Sequence, residues 1–274
     1  MKKILLAGAL AATTMLGATT ASAGIIQLGF ILDRSGSVPE PDWGVITTGL
    51  ADAMDNIPLP GDDTYEVSVV TFASSATIAI ANRALTTVAE VDALKADILA
   101  LDTAADDTSG LTDYQAAFTA MQDALNNTTG VSFSYVNFAT DGVPTDSSGP
   151  GSDNADGIAA RNALIADVNS NNIGSSGPKI NISIEGIDIS ASAASNLQDN
   201  YCYPGPCDTS VPYNFPTQGF YIGVDTAAQY AAAIDNKVLV VTGQAPVPAP
   251  APIALLGIGL VGGLLARRRK RAAA

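Results

Sequence analysis

Two periodicities alternate along residues 24–243. The stretch Ile25-Ile26-Gln27-Leu28-Gly29-Phe30-Ile31-Leu32 is apolar almost throughout. It is too short for a typical helix, and its β-branched and aromatic residues predict a buried strand. Tyr65 to Phe72 and Ala76 to Ile80 read as two more strands, joined by a hairpin-length Ala73-Ser74-Ser75. Val131 to Ala139, Lys179 to Ile187 and Phe220 to Val224 complete the predicted strands. Between them apolar positions return at helical spacing. Trp43, Val45, Ile46, Leu50, Ala53 and Met54 mark a helix within residues 39–56, with Pro41 suited to its first turn. Residues 88–99, 113–125, 158–168 and 226–236 predict further helices, and 191–197 a short helix at best. Residues 141–157 read as loop. An EF-hand does not fit there, because Ala163 falls where the bidentate Glu is required. Strands alternating with helices imply a doubly wound, mostly parallel α/β sheet, with the hairpin supplying one antiparallel edge strand.

The first strand runs directly into Asp33-Arg34-Ser35-Gly36-Ser37. This places a carboxylate and two hydroxyls on a tight loop at the sheet's carboxyl edge, where open α/β folds bind ligands. Their hard oxygens suit Mg²⁺, Mn²⁺ or Ca²⁺ and suit thiophilic metals poorly. Alone, the stretch reads equally as a turn in which Asp and Ser bond their own backbone and cap a helix near Pro39. Two later stretches accompany it. Ser109-Gly110-Leu111-Thr112-Asp113-Tyr114 precedes a helical pattern, and Phe138-Ala139-Thr140-Asp141-Gly142-Val143-Pro144-Thr145 ends a strand. In this order the three resemble the metal-ion-dependent adhesion site (MIDAS) of the von Willebrand factor type A (VWA) family. That pattern is Asp-x-Ser-x-Ser, then a loop threonine, then a Thr-Asp-Gly-type aspartate. The resemblance covers residues 24–243 and implies a VWA, Rossmann-like α/β domain. It also implies a metal set of Asp33, Ser35, Ser37, Thr112 and Asp141. The three hydroxyls would meet the ion directly or through water, and the two carboxylates would supply charge partly through water. One coordination position is then left for a carboxylate oxygen of a protein or matrix partner. Mg²⁺ is the implied ion, with Mn²⁺ and Ca²⁺ as alternatives.

Composition narrows the partners. Net charge over 274 residues is −14, but seven of the 13 basic residues lie in the terminal segments. The 27 acidic residues all fall between Asp33 and Asp235, so the body carries −21. Such a surface repels phosphate backbones, which argues against nucleic acid as a partner. There is no histidine, which excludes histidine triads, zinc–histidine sites and imidazole bases. The only two cysteines stand in Cys202-Tyr203-Pro204-Gly205-Pro206-Cys207, a spacing that in an exported chain predicts a local disulfide.

Both ends read as addressing signals. Lys2-Lys3, the apolar Ile4 to Leu10 and Ala21-Ser22-Ala23 form a signal peptide over residues 1–23, with Gly24 starting the mature chain. Residues 244–252 are a Pro-rich spacer. Ile253 to Ala266 is uncharged, reaching as a helix about 21 Å against a hydrocarbon core of about 30 Å. Arg267-Arg268-Arg269-Lys270-Arg271 follows and favours the cytoplasmic side. The segment 244–274 resembles the PEP-CTERM sorting signal processed by an exosortase. Val247-Pro248-Ala249-Pro250 stands where that signal has Val-Pro-Glu-Pro. The expectation is an exported adhesion or binding module, tethered at the inner membrane before C-terminal processing. A structural matrix protein braced by its metal is the alternative, and a metal-assisted hydrolase is disfavoured. The chain shows no recognisable nucleophile paired with a base and no phosphate-binding loop.

Overall fold

A computed structural model describes residues 24–61, 63–103, 111–145, 153–173 and 177–243. The elements in chain order are β1 (Ile25–Asp33), α1 (Glu40–Ala53), β2 (Thr64–Phe72), β3 (Ala76–Leu85), α2 (Val88–Ala100), α3 (Tyr114–Leu125), β4 (Val131–Thr140), α4 (Asp153–Asn171), β5 (Ile180–Ile187), α5 (Ala191–Asn200), β6 (Tyr221–Val224) and α6 (Ala227–Val241). The strands form a single sheet in the order β3-β2-β1-β4-β5-β6. All neighbouring pairs are parallel except β2 and β3, which form the antiparallel hairpin.

The sheet is buried on both faces, which is why β1 reads as a nearly continuous apolar run and does not alternate. Leu28, Phe30 and Leu32 point into one layer with Trp43 and Leu50 of α1, Leu94 of α2 and Ile234 of α6. Ile31 points the other way, into a layer with Phe118 of α3, Leu164 of α4, Leu197 of α5 and Phe138 of β4. Central β1 has the longest parallel pairings, and strand order reverses there between β2 and β4. The carboxyl ends of β1 and β4 therefore open a crevice between diverging loops, the position at which doubly wound sheets bind ligands.

Three element boundaries lie five residues from the sequence reading, and the other shifts are smaller. Strand β3 continues past Ile80 to Leu85 through an irregularity at Asn82, whose φ is 40°. There Ser68 Oγ accepts from the Asn82 amide and donates to Asn82 Oδ1, both at 2.9 Å, so a side chain replaces the missing ladder contact. Helix α6 runs beyond Asn236 to Val241, because Val238 and Val241 extend its buried face. Helix α4 begins at Asp153, inside the segment read as loop. Gly157 is the last residue of that segment. In the fold it is buried where a Cβ would come within 2.7 Å of the Tyr201 hydroxyl and 2.8 Å of Tyr114 Cβ, so it serves close packing of α4.

No helix among the described residues is long and apolar enough to cross a membrane. The expected signal peptide, spacer and sorting segment lie outside the described residues.

Candidate metal centre

Asp33 is the last residue of β1, and the chain turns as soon as the strand ends. The Asp33 carboxylate helps make that turn, with Oδ1 accepting from the Ser35 amide at 2.8 Å. The next amide, Arg34, donates to Phe72 O at 2.8 Å and fixes the loop to the end of β2. Arg34 itself faces away from the crevice. Its guanidinium lies 4.9 Å from the Trp43 ring centroid, donates to Leu101 O at 2.9 Å and approaches Glu40 at 3.7 Å. The loop's one basic side chain is thus absorbed by α1 and the end of α2, leaving its oxygens to the crevice.

The second loop leads into α3. Asp113 caps that helix, accepting from the Ala116 amide at 2.9 Å. Its own amide donates to Ala73 O at 2.8 Å, and the Leu111 amide donates to Ser74 Oγ at 2.8 Å. Thr112, between them, exchanges two bonds with the third loop. Its amide donates to Thr145 Oγ1 at 3.1 Å, and the Thr145 amide donates to Thr112 O at 3.0 Å. The third loop follows β4, where Thr140 donates to Asp33 Oδ2 at 2.6 Å and so joins the ends of the two central strands. Tyr114, at the start of α3, donates to Gly142 O at 2.7 Å and lies 3.1 Å from Thr140 Oγ1.

The predicted residues come together. Ser35 Oγ lies 2.9 Å from Ser37 Oγ, and Ser37 Oγ donates to Asp141 Oδ1 at 2.8 Å. Ser35, Ser37, Thr112 and Asp141 line one open cleft of about 380 Å³ with Val143 and Thr145. Asp33 lies behind them, 3 % exposed. Val143, among the cleft's lining residues, is exposed and gives it an apolar edge. A neighbouring cleft shares Ser37 and Asp141 and adds Asp42, Asp188 and Asp225. No basic side chain lines either cleft among the described residues.

This donor set fits a hard divalent ion. Burial, then repulsion from Asp141, pushes the Asp33 carboxyl up from 3.8 to about 6, against the hydrogen bonds from Thr140 and Ser35. Burial also raises Asp141, with Asp188 adding to the rise and Ser37 opposing it. Two carboxylates disfavoured as anions, with no cation among the cleft's lining residues, are electrostatically suited to a positive charge. Among the described residues no three His, Cys, Asp or Glu side chains cluster closely enough to hold an ion by themselves. A centre here therefore depends on hydroxyls, as the motif implies.

Thr140, Tyr114, Thr145 and Ser74 were not singled out from sequence, yet they fix the three loops to one another. Thr140 had a signal in its adjacency to Asp141 at a strand end. The others act through contacts between distant segments. Cys202 and Cys207 form a disulfide beside β5, away from the cleft's lining residues, and neither cysteine is free.

No family model matches the sequence, and no curated protein matches it. Solved structures share the fold. A von Willebrand factor type A protein from Catenulispora acidiphila is 15 % identical, with a TM-score of 0.55 over 81 % of this chain and 43 % of that one. Proximal thread matrix protein 1 from the mussel byssus is 17 % identical, with a TM-score of 0.54 over 81 % and 47 %. A further structure of that byssus protein is described as having a zinc-occupied MIDAS motif. The pilus adhesin SpaC of Lactobacillus rhamnosus GG is 13 % identical, with a TM-score of 0.54 over 81 % and 31 %. The chain thus spans less than half the length of these proteins, and what it shares with them is the VWA-type fold.

Proposed function

We propose that this protein is an exported binding module that holds a divalent ion of the Mg²⁺ type and uses it to grip a carboxylate on a protein or matrix partner. The observation carrying this reading is the convergence of Ser35, Ser37, Thr112 and Asp141 on one cleft, backed by Asp33, with no basic side chain lining it among the described residues. Asp33, Ser35, Ser37, Thr112 and Asp141 would hold the ion. When bound, the ion supplies an electrophilic position for a partner oxygen. The chain's own residues do the rest. Thr140 and the Ser35 amide orient Asp33, the Thr112–Thr145 pair fixes the cleft's width, and the acidic surroundings reject a carboxylate that arrives without the ion. The partner must otherwise be neutral or basic, given the body's charge.

Adhesin and thread-matrix proteins among the fold neighbours support a role at a surface or in a matrix. The residues of the terminal segments support export, transient tethering at the inner membrane and release by an exosortase-type enzyme. A metal that merely braces the loops is the weaker reading, because hydrogen bonds already join all three loops without it. The test is a pull-down from the producer's envelope and matrix with Mg²⁺ or EDTA. Capture that EDTA abolishes while circular dichroism stays unchanged supports the module. Capture indifferent to EDTA contradicts it. Intact-mass spectrometry of surface and medium fractions tests processing, with cleavage expected between Gln244 and Ile253. Recovery only in membranes with Arg267 to Ala274 attached contradicts it.

A further inference from the structure

Four residues before Asp141 on β4, Asn137 points into the layer beneath α6 and meets Glu185 of β5 and Lys237 of α6. All three side chains are 0 % exposed. Lys237 Nζ donates to Asn137 Oδ1 at 2.7 Å, and Asn137 Nδ2 donates to Glu185 Oε2 at 3.0 Å. Nζ lies 3.6 Å from Glu185 Oε1 and 5.1 Å from the Phe220 ring centroid. Tyr135 and Tyr213 stack on Phe220, and Tyr230 is also fully buried.

As a salt bridge this arrangement is poor. The ammonium–carboxylate separation exceeds that of a charge-assisted hydrogen bond, Glu185 Oε1 has no hydrogen-bond partner, and neither has the Tyr230 hydroxyl. Two charges here lose their water and recover little of that loss from each other. Burial pushes Lys237 down from 10.5 to about 8 and pushes Glu185 up, each shift opposed by the other group's charge. Proton transfer from Lys237 to Glu185 removes both charges at once. It leaves a neutral amine whose nitrogen lies 2.7 Å from Asn137 Oδ1, on the oxygen side of the carboxamide carbon, among side chains that are fully buried. Such positioning turns a slow aminolysis into an intramolecular reaction.

We propose that Lys237 and Asn137 join in an intramolecular isopeptide bond, with Glu185 carrying the proton. The Nζ lone pair attacks Asn137 Cγ, forming the Nζ–Cγ bond. Glu185 takes a proton from Nζ and delivers one to Nδ2. The Cγ–Nδ2 bond then breaks, ammonia leaves, and the products are a secondary amide and a protonated Glu185. One amine and one primary amide become one secondary amide and one ammonia, with no oxidant, reductant or co-reactant. The product replaces a poorly paired buried amine with neutral amide, which suits the aromatic surroundings better than the ions did. The link would close the chain between residues 137 and 237 and tie α6 to a central strand. Because α6 ends at Val241, load applied through the C-terminal segment would reach β4 through a covalent bond instead of peeling the helix away. This inference does not depend on the metal centre.

Peptide mapping of the purified full chain by tandem mass spectrometry tests it. The expected species is one branched peptide joining the Asn137 and Lys237 segments, lighter than the two together by one ammonia. It should be absent from Lys237→Met, and Glu185→Gln should slow its formation by about 100-fold or more. Folded wild-type protein yielding the two peptides separately at their sequence masses overturns the proposal. So does ammonia loss confined to the Asn137 peptide, the mark of a cyclic imide. The wild-type map decides the matter even if a variant fails to fold.

Discussion

Asp33 is the buried carboxylate of the candidate centre, and Thr140 orients it. The Thr140 hydroxyl donates to Asp33 Oδ2 from the adjacent strand and also lies within reach of the Gly142 amide at 3.3 Å. Removing it while keeping the β-branched shape should leave the fold intact and loosen the carboxylate. We expect Thr140→Val to weaken Mg²⁺ or Mn²⁺ binding by roughly 10- to 100-fold, the usual scale for a residue that orients a metal ligand. Calorimetry showing unchanged affinity would contradict that role. The five motif residues were legible in the sequence because each lies beside a strand or helix end, where local pattern fixes position. Tyr114 and Thr145 were not, because their importance depends on which loops the fold places side by side.

The elements show a similar division. Long apolar runs and helical spacings predicted the order of strands and helices, because those patterns report burial directly. The start of α4 was not legible, because the Asp, Asn and Gly content of residues 141–157 reads as loop, while the close packing that Gly157 admits depends on Tyr114 and Tyr201 from distant segments. The buried Asn137–Glu185–Lys237 group was also illegible: its members are 48 and 52 residues apart in the chain and meet only through strand pairing and α6 packing. Helix α2 shows how local signals succeed. Thr87 accepts from the Glu90 amide at 3.3 Å, while Glu90 Oε2 accepts from the Thr87 amide at 2.9 Å, a complete capping box. Thr87→Ala should cost about 1 kcal/mol in urea unfolding. Hydrogen bonds from the Thr86 backbone and hydroxyl, and from Thr87, hold the Glu90 carboxyl below its ordinary 4.5. Its contribution is therefore present above that value and lost as pH falls through the lower folded one. The stability gap between wild type and Glu90→Gln should accordingly be larger at pH 7 than at pH 3, and a gap independent of pH would contradict this.

At the opposite edge, β6 covers only Ile184 to Ile187 of β5. Tyr203, inside the disulfide loop, covers the strand's start by exchanging backbone bonds with Ile182 at 2.7 and 3.0 Å. Replacing both cysteines by serine should cost about 2 kcal/mol or less for so short a loop. Faster hydrogen exchange is expected at Ile182, with α1 unchanged. Exchange accelerated uniformly across the domain would show that the loop supports more than this edge.

At the scale of the whole molecule, a strongly acidic body surrounds a cleft whose proposed ligand is itself a carboxylate. A bound ion would resolve that conflict locally, and the remaining charge would favour partners with neutral or basic surroundings. Association with a basic partner should slow as ionic strength rises, whereas the short-range contact at the ion should be screened less. The separate tie proposed between β4 and α6 would let the domain bear load at its C-terminal end while the cleft, at the carboxyl edge of the same sheet, engages its partner. All of this rests on a divalent ion being held by the three loops. Titration of Mg²⁺ or Mn²⁺ into the wild-type chain and into Asp33→Ala, followed by calorimetry with circular dichroism as the control for folding, tests it most directly. The expected result is one ion per chain in wild type and none in the folded variant. Equal binding by both, or no binding by folded wild type, would contradict it.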